Sequence, residues 1–305
     1  MKGFLLAAGL GTRLWPLSDQ RAKPAFPFRG TPLIRHTAQL LVEAGVSELW
    51  ANTHYLPQTV QAALAGFALP VTLVHEPTIL GTGGALVNVR NALAGDTVVT
   101  VNAKIVTDID IAAAVAAHHA AGAAVTMVCV PNPKREKFTH IEAQGGRLTG
   151  LVAGDALQGV AAPRLFTGIQ ILSPQFFEAL PAPGFSDTIK DIYPLVQKRG
   201  GIVHVHDSVQ AWSEFSTVRR YRDLHGEGFV DPAAEVASSA RLTRCVVWPG
   251  ARIAADVRLE GCVVGEGAIV PAGYAARDAV LMPVEAVHEI RDARVSGALL
   301  EARIA

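Results

Sequence analysis

Residues 6–18 read Leu6-Ala-Ala-Gly-Leu-Gly-Thr-Arg-Leu-Trp-Pro-Leu-Ser18, and Lys23-Pro24 follow a few residues later. The apolar run from Met1 to Ala8 enters a glycine-rich turn, the pattern of a buried strand that opens into a loop. Leu6 and Ala8 stand at the end of that strand. Gly9 and Gly11 carry no Cβ, so backbone N–H groups beside them and at Thr12 can approach a phosphate chain. Arg13 adds a planar, permanently charged fork that matches phosphate oxygens, and Lys23 adds a second cation. Such donors at the C-terminal end of a first strand suit a nucleoside triphosphate. No Gly-Lys-Ser/Thr follows, so the loop is not of the Walker type.

The three strings Gly9-Leu-Gly-Thr-Arg-Leu14, Pro16-Leu-Ser18 and Ala22-Lys-Pro24 together resemble the signature of the sugar-phosphate nucleotidyltransferases, the NDP-sugar pyrophosphorylases. The resemblance implies an α/β fold with a Rossmann-like domain that joins an NTP to a sugar 1-phosphate and releases pyrophosphate. Arg13 and Lys23 are then catalytic candidates, and Leu6, Ala8, Gly9, Gly11 and Thr12 complete the nucleotide-binding loop.

Composition narrows the alternatives. The chain has 305 residues, enough for a large domain and an appendage. Lys plus Arg and Asp plus Glu both number 27, so no basic surplus points to nucleic acid or an anionic membrane. Cys129, Cys245 and Cys262 form no C-x-x-C pair and read as reduced core residues of a cytoplasmic protein. Residues 111–130 carry no Asp, Glu, Lys or Arg, but His118-His119, many alanines and Gly122 point to a helix followed by a strand rather than a membrane span.

From residue 1 to about 130, strands expected at 2–8, 48–52, 71–75, 97–102 and 124–130 alternate with helices such as 33–44 and 56–65. Residues 138–180 read as an inserted β-rich segment with a hairpin turn at Gly145-Gly146. A helix over 185–199 and a strand over 202–206 follow. Near 230 the pattern changes. Val230, Val236 and Leu242, then Val247, Ile253 and Leu259, stand six apart, and Cys245, Cys262 and Ala279 open similar strings 17 residues apart. That is a solenoid repeat. It resembles the left-handed parallel β-helix found at the C-terminus of members like the mannose-1-phosphate guanylyltransferases. The division expected is 1–225 for the transferase domain and 226–305 for the β-helix and tail. Residues 230–285 contain no histidine, which argues against the acyltransferases that also use such helices. Homo-oligomers through the helix are expected.

Two further strings carry the resemblance. Glu76-Pro-Thr-Ile-Leu-Gly81-Thr82-Gly83-Gly-Ala85 is similar to the family's base-contacting L-G-T-x-G-A string, so Glu76, Gly81, Thr82 and Gly83 join the nucleotide-binding set. The absence of the glutamine common in thymidine-selective members favours GTP or UTP. Leu165-Phe-Thr167-Gly168-Ile is similar to the strand beside the bound sugar, which makes Thr167 and Gly168 sugar-binding candidates with Asn102 and Glu214. The family's Glu-Lys-Pro has no counterpart in residues 151–156, and Lys190 lies on a helix.

The departure lies in the metal site. The family uses aspartates in Val-Asn-Gly-Asp and Trp-x-Asp-x-Gly-Thr strings to hold Mg²⁺. Here Val101-Asn-Ala-Lys104 and Trp212-Ser-Glu214 stand in their place. Lys104 repels a divalent cation, and one carboxylate is a poor site for it. No metal ligands are therefore assigned; Lys104 is instead a catalytic candidate that partly replaces the ion beside Glu214. Two functions follow: a nucleotidyltransferase with an atypical metal site, or a nucleotide-binding homologue of low activity that regulates a partner such as a paralogous enzyme subunit.

Overall fold

A computed structural model describes residues 1–304, which fall into two compact units. The first comprises Met1–Gly9, Ile34–Pro57 and Leu64–Ser213. Its centre is a nine-stranded sheet in the order Val71–His75, Glu48–Thr53, Lys2–Leu6, Val98–Asn102, Arg164–Leu172, Val125–Pro131, Val203–Asp207, Arg147–Val152, His140–Gln144. The first four strands are parallel, as βαβ connections require. Arg164–Leu172 then runs antiparallel to both its neighbours. The inserted segment is thus no appendage, because its last strand, buried along most of its length, occupies the middle of the sheet. Gly145 and Gly146 make the expected hairpin turn, both at positive φ.

Element ends follow local chemistry. The first strand stops at Leu6 because the Ala7 N–H turns aside to Asn52 Oδ1 at 2.7 Å. The helix Ile111–Ala120 starts at Asp110, whose carboxylate accepts from the Ala113 N–H at 2.9 Å. The helix expected from 185 begins only at Thr188, since Asp187 Oδ1 accepts from Ile189 N and Lys190 N and fixes the cap there. The core of this unit gathers Phe4, Leu86, Met127, Phe176 and Tyr193, all fully buried. No helix of the described residues is long and apolar enough to cross a membrane.

The second unit comprises Leu10–Leu33, Gln58–Ala63 and the chain from Glu214 onward. Its C-terminal part consists of short parallel strands stacked in three rows, each strand 17 residues from the next: Phe229–Val230 on Val246–Val247 on Val263–Val264, Glu235–Val236 on Arg252–Ile253 on Ile269–Val270, and Arg241–Thr243 on Arg258–Glu260 on Ala275–Arg277. Val247, Ile253, Leu259, Val264 and Val270 fill the interior. Val230 and Val236, in the first coil, remain 42% and 38% exposed, because no earlier coil stacks on them. The opposite end is covered by the hairpin Ala293–Ser296 and Leu299–Arg303, which pairs antiparallel with Ala279–Pro283. Trp248 is fully buried against Phe26 and Tyr221, and its indole N–H donates to the Tyr221 hydroxyl at 2.9 Å. That hydroxyl donates in turn to the Pro27 carbonyl at 2.5 Å. The N-terminal loop and the repeat therefore share one core inside this unit.

Candidate functional site

In the first unit, three parallel strands bring Leu6, Asn52 and Asn102 into one register at their C-terminal ends. Open α/β sheets bind ligands at such ends. The Ala103 N–H donates to the Leu6 carbonyl at 3.0 Å, and Lys104, half-buried, follows just before the strand Ile105–Thr107. That strand pairs with Trp212–Glu214, which ends in the buried Glu214.

A buried polar chain crosses the strand ends. Asn52 and Glu76 are only 3% and 1% exposed, so their hydrogen bonds cannot be replaced by water. Asn52 Oδ1 accepts from Ala7 N, and its Nδ2 donates to Glu76 Oε1 at 2.8 Å. Glu76 Oε2 accepts from Leu80 N at 3.2 Å. Both carboxylate oxygens thus serve the protein itself and tie the first loop to the segment before Gly81. Asn52 carries no motif signal; only its register beside Leu6 reveals it.

The glycines of Gly81–Gly84 have packing reasons. A Cβ at Gly84 would lie 2.3 Å from the Gly184 carbonyl oxygen, and one at Gly81, which has φ +74°, would lie 2.5 Å from Ser186 O. Gly83 N donates to Ser186 O at 2.8 Å, and the Thr82 hydroxyl accepts from Thr188 N at 3.0 Å. Thr167 is also engaged internally: its hydroxyl donates to Val128 O at 2.7 Å and accepts from Ile169 N at 3.2 Å. Gly168 has φ +87°, and a Cβ there would stand 2.4 Å from Asn102 Nδ2, so glycine lets Asn102 sit against this strand. The Trp212 indole N–H donates to Thr167 O at 2.9 Å, which brings Asn102, Thr167, Gly168 and Trp212 together. Lys190 is exposed.

In the second unit, Gly11 adopts φ +68° and opens the turn Thr12–Leu14, with Leu14 N donating to Gly11 O at 2.8 Å. Thr12 and Arg13 are exposed on that turn. A Cβ on Gly11 would meet the Lys23 Cβ at 3.5 Å, so the glycine turn and Lys23 lie side by side. The Ala22 N–H donates to Thr59 Oγ1 at 3.1 Å and steadies the approach to Lys23.

The donor set does not fit a divalent cation. Lys104 and Glu214, the two residues that the sequence strings put forward at this place, offer an ammonium and a single carboxylate. No group of three or more His, Cys, Asp or Glu side chains among the described residues is arranged to hold a metal ion.

The family profile described as Nucleotidyl transferase matches residues 2–224. A mannose-1-phosphate guanylyltransferase catalytic subunit beta of Dictyostelium discoideum is 27% identical over 202 residues, covering 64% of this chain and 55% of that protein. A UTP–glucose-1-phosphate uridylyltransferase of Synechocystis is 23% identical over 238 residues, covering 72% and 61%. The chain therefore spans only about three fifths or less of these relatives. A solved chain from Bacillus anthracis, provisionally named a glucose-1-phosphate thymidylyltransferase, superposes with a TM-score of 0.63 at 20% identity, over 73% of this chain and 94% of that one. At that identity it speaks for the fold alone.

Proposed function

The chain belongs to the nucleotidyl transferase family, and from this premise we propose that it joins a nucleoside triphosphate to a sugar 1-phosphate and releases pyrophosphate. The observation that carries the reading is the turn at Gly11, with Arg13 exposed on it and Lys23 alongside. The sugar phosphate oxygen attacks the α-phosphorus in line, so positioning and charge stabilisation do most of the work. Arg13 and the loop amides hold the leaving β- and γ-phosphates, and Lys23 offsets charge at the α-phosphate. Thr12 adds its backbone donor beside Gly11, and Leu6, Ala8 and Gly9 at the end of the first strand are the further candidates for the nucleotide. Glu76 acts through Asn52 and Leu80, placing the Gly81–Gly83 segment against the base. Asn102 and Gly168 face the sugar, Thr167 holding the strand beside them. Lys104 supplies one fixed positive charge in place of the divalent ion that the family strings imply, with Glu214 as its counter-charge, so turnover is low.

The guanylyl and uridylyl relatives support GTP or UTP as donor. That these relatives are named as enzymes favours catalysis over a purely regulatory role. The 17-residue stack supports a left-handed β-helix that begins after residue 225 and self-association through it; a cytoplasmic setting suits the free, buried cysteines. The deciding experiment measures pyrophosphate release across NTPs and sugar 1-phosphates, with Mg²⁺ and with EDTA. Release with no donor and sugar pair in either condition refutes the catalytic reading.

A further inference from the structure

In the parallel stacks of the second unit, residues 17 apart share one face and stand about 4.8 Å apart, the spacing of neighbouring strands. Three such in-register pairs carry charge on both members. Glu235 lies opposite Arg252, with Arg252 Nε 3.6 Å from the carboxylate. Glu260 lies opposite Arg277, whose Nε donates to it at 2.9 Å. The third pair breaks the rule: Arg241 lies opposite Arg258. Like charges directly opposite destabilise a sheet. Among the described residues neither guanidinium forms an ion pair or a side-chain hydrogen bond.

The next position of that row is Ala275, and the interior row continues from Leu259 to Ala276. An arginine at 275 would have continued the ladder; the alanine leaves space instead. The result is an open surface groove of about 440 Å³ lined by Arg241, Thr243, Arg258, Glu260, Ala275 and Arg277, among others. Glu260 is committed to Arg277, so two arginine charges face this space uncompensated.

We propose that this groove is a binding site for a small oligophosphate anion. Two guanidinium forks one strand apart can each bind phosphoryl oxygens bidentately, and one anion between them removes their mutual repulsion. The groove crosses three strands, about 10 Å, which suits a small molecule better than an extended peptide. The chain's zero net charge gives no general attraction for nucleic acid.

The test uses the full chain and inorganic pyrophosphate without metal. An Arg13→Ala background removes the anchor of the proposed nucleotide site, so failure there and failure here read separately. Calorimetric titration should show pyrophosphate binding in Arg13→Ala that weakens about tenfold or more when Arg241→Gln and Arg258→Gln are added. Thermal unfolding should show pyrophosphate stabilising Arg13→Ala beyond sodium chloride at equal ionic strength, with that excess lost in the triple variant. Equal affinity with and without the two arginines overturns the proposal, as does chloride matching pyrophosphate. Arg241→Lys with Arg258→Lys keeps the charge and serves if the glutamine variant does not fold. It should bind several-fold more weakly, and unchanged affinity counts against the site.

Discussion

Replacing Glu76 by glutamine exchanges one oxygen for an amide nitrogen and leaves the volume almost unchanged. The consequence follows from the direction of the buried chain. Ala7 N–H and Asn52 Nδ2 donate along it, and both Glu76 oxygens accept, one from Asn52 and one from Leu80 N. Glutamine must therefore turn its NH₂ toward one of two donors. Rotating Asn52 does not help, because its own NH₂ would then face the Ala7 N–H. A buried donor left without an acceptor costs about 1–3 kcal/mol, and the lost hydrogen bond to a charged acceptor about 1.5–3 kcal/mol. A combined loss of about 3 kcal/mol lowers Tm by about 6–12 °C in a domain of this size. Adding Asn52→Asp to Glu76→Gln reverses the pattern. The new carboxylate at position 52 would accept from Ala7 N and from the new amide at position 76, whose oxygen would accept from Leu80 N. Asn52→Asp alone sets two carboxylates together and destabilises. Thermal denaturation of the wild type, both singles and the double therefore forms a cycle in which the double is more stable than either single. If Glu76→Gln melts within about 1 °C of wild type, or the double is less stable than both singles, the positioning role given to Glu76 is wrong.

Replacing Arg13 by alanine should weaken NTP binding about tenfold or more, the worth of a charge-assisted hydrogen bond, and calorimetry with unchanged affinity would reject the loop assignment. Nucleotide binding should survive EDTA, while Lys104→Asp with Ala103→Gly should introduce a Mg²⁺ requirement and raise turnover; high, strictly Mg²⁺-dependent turnover of the natural chain would show that Lys104 is misplaced. His225 and His118 are each held down to about 4 by burial, His118 also by the neighbouring His119. Their neutral forms are the folded forms, so the stability they contribute is present above the unfolded value of about 6.5 and is lost as pH falls toward about 4. Urea midpoints should therefore decline across that window, and His118→Gln with His225→Gln should flatten the slope; an identical slope in that variant counts against it.

Much was legible in the sequence because the signals are local or strictly periodic. The first strand and its glycine turn are specified by Met1–Ala8 and by Gly9 and Gly11, since an apolar run and a positive-φ glycine act within a few residues. The repeat is legible because each coil must present its apolar side to the next, which imposes the 17-residue spacing of Cys245, Cys262 and Ala279. The departure at Lys104 and Glu214 also shows in linear strings. What only tertiary structure decided depends on partners distant along the chain. The place of Arg164–Leu172 in the middle of the sheet follows from strand order, which alternation alone does not encode. The engagement of Gly81–Gly84 with Gly184–Ser186, about a hundred residues on, gives those glycines a packing reason besides any ligand. Glu76 becomes a strut only because three strands place Asn52 beside Leu6, and Arg241 meets Arg258 only because two coils stack in register. Local sequence sets the dihedrals and the period, while hydrogen-bond partners and opposed charges are set by which strands the completed sheet makes neighbours.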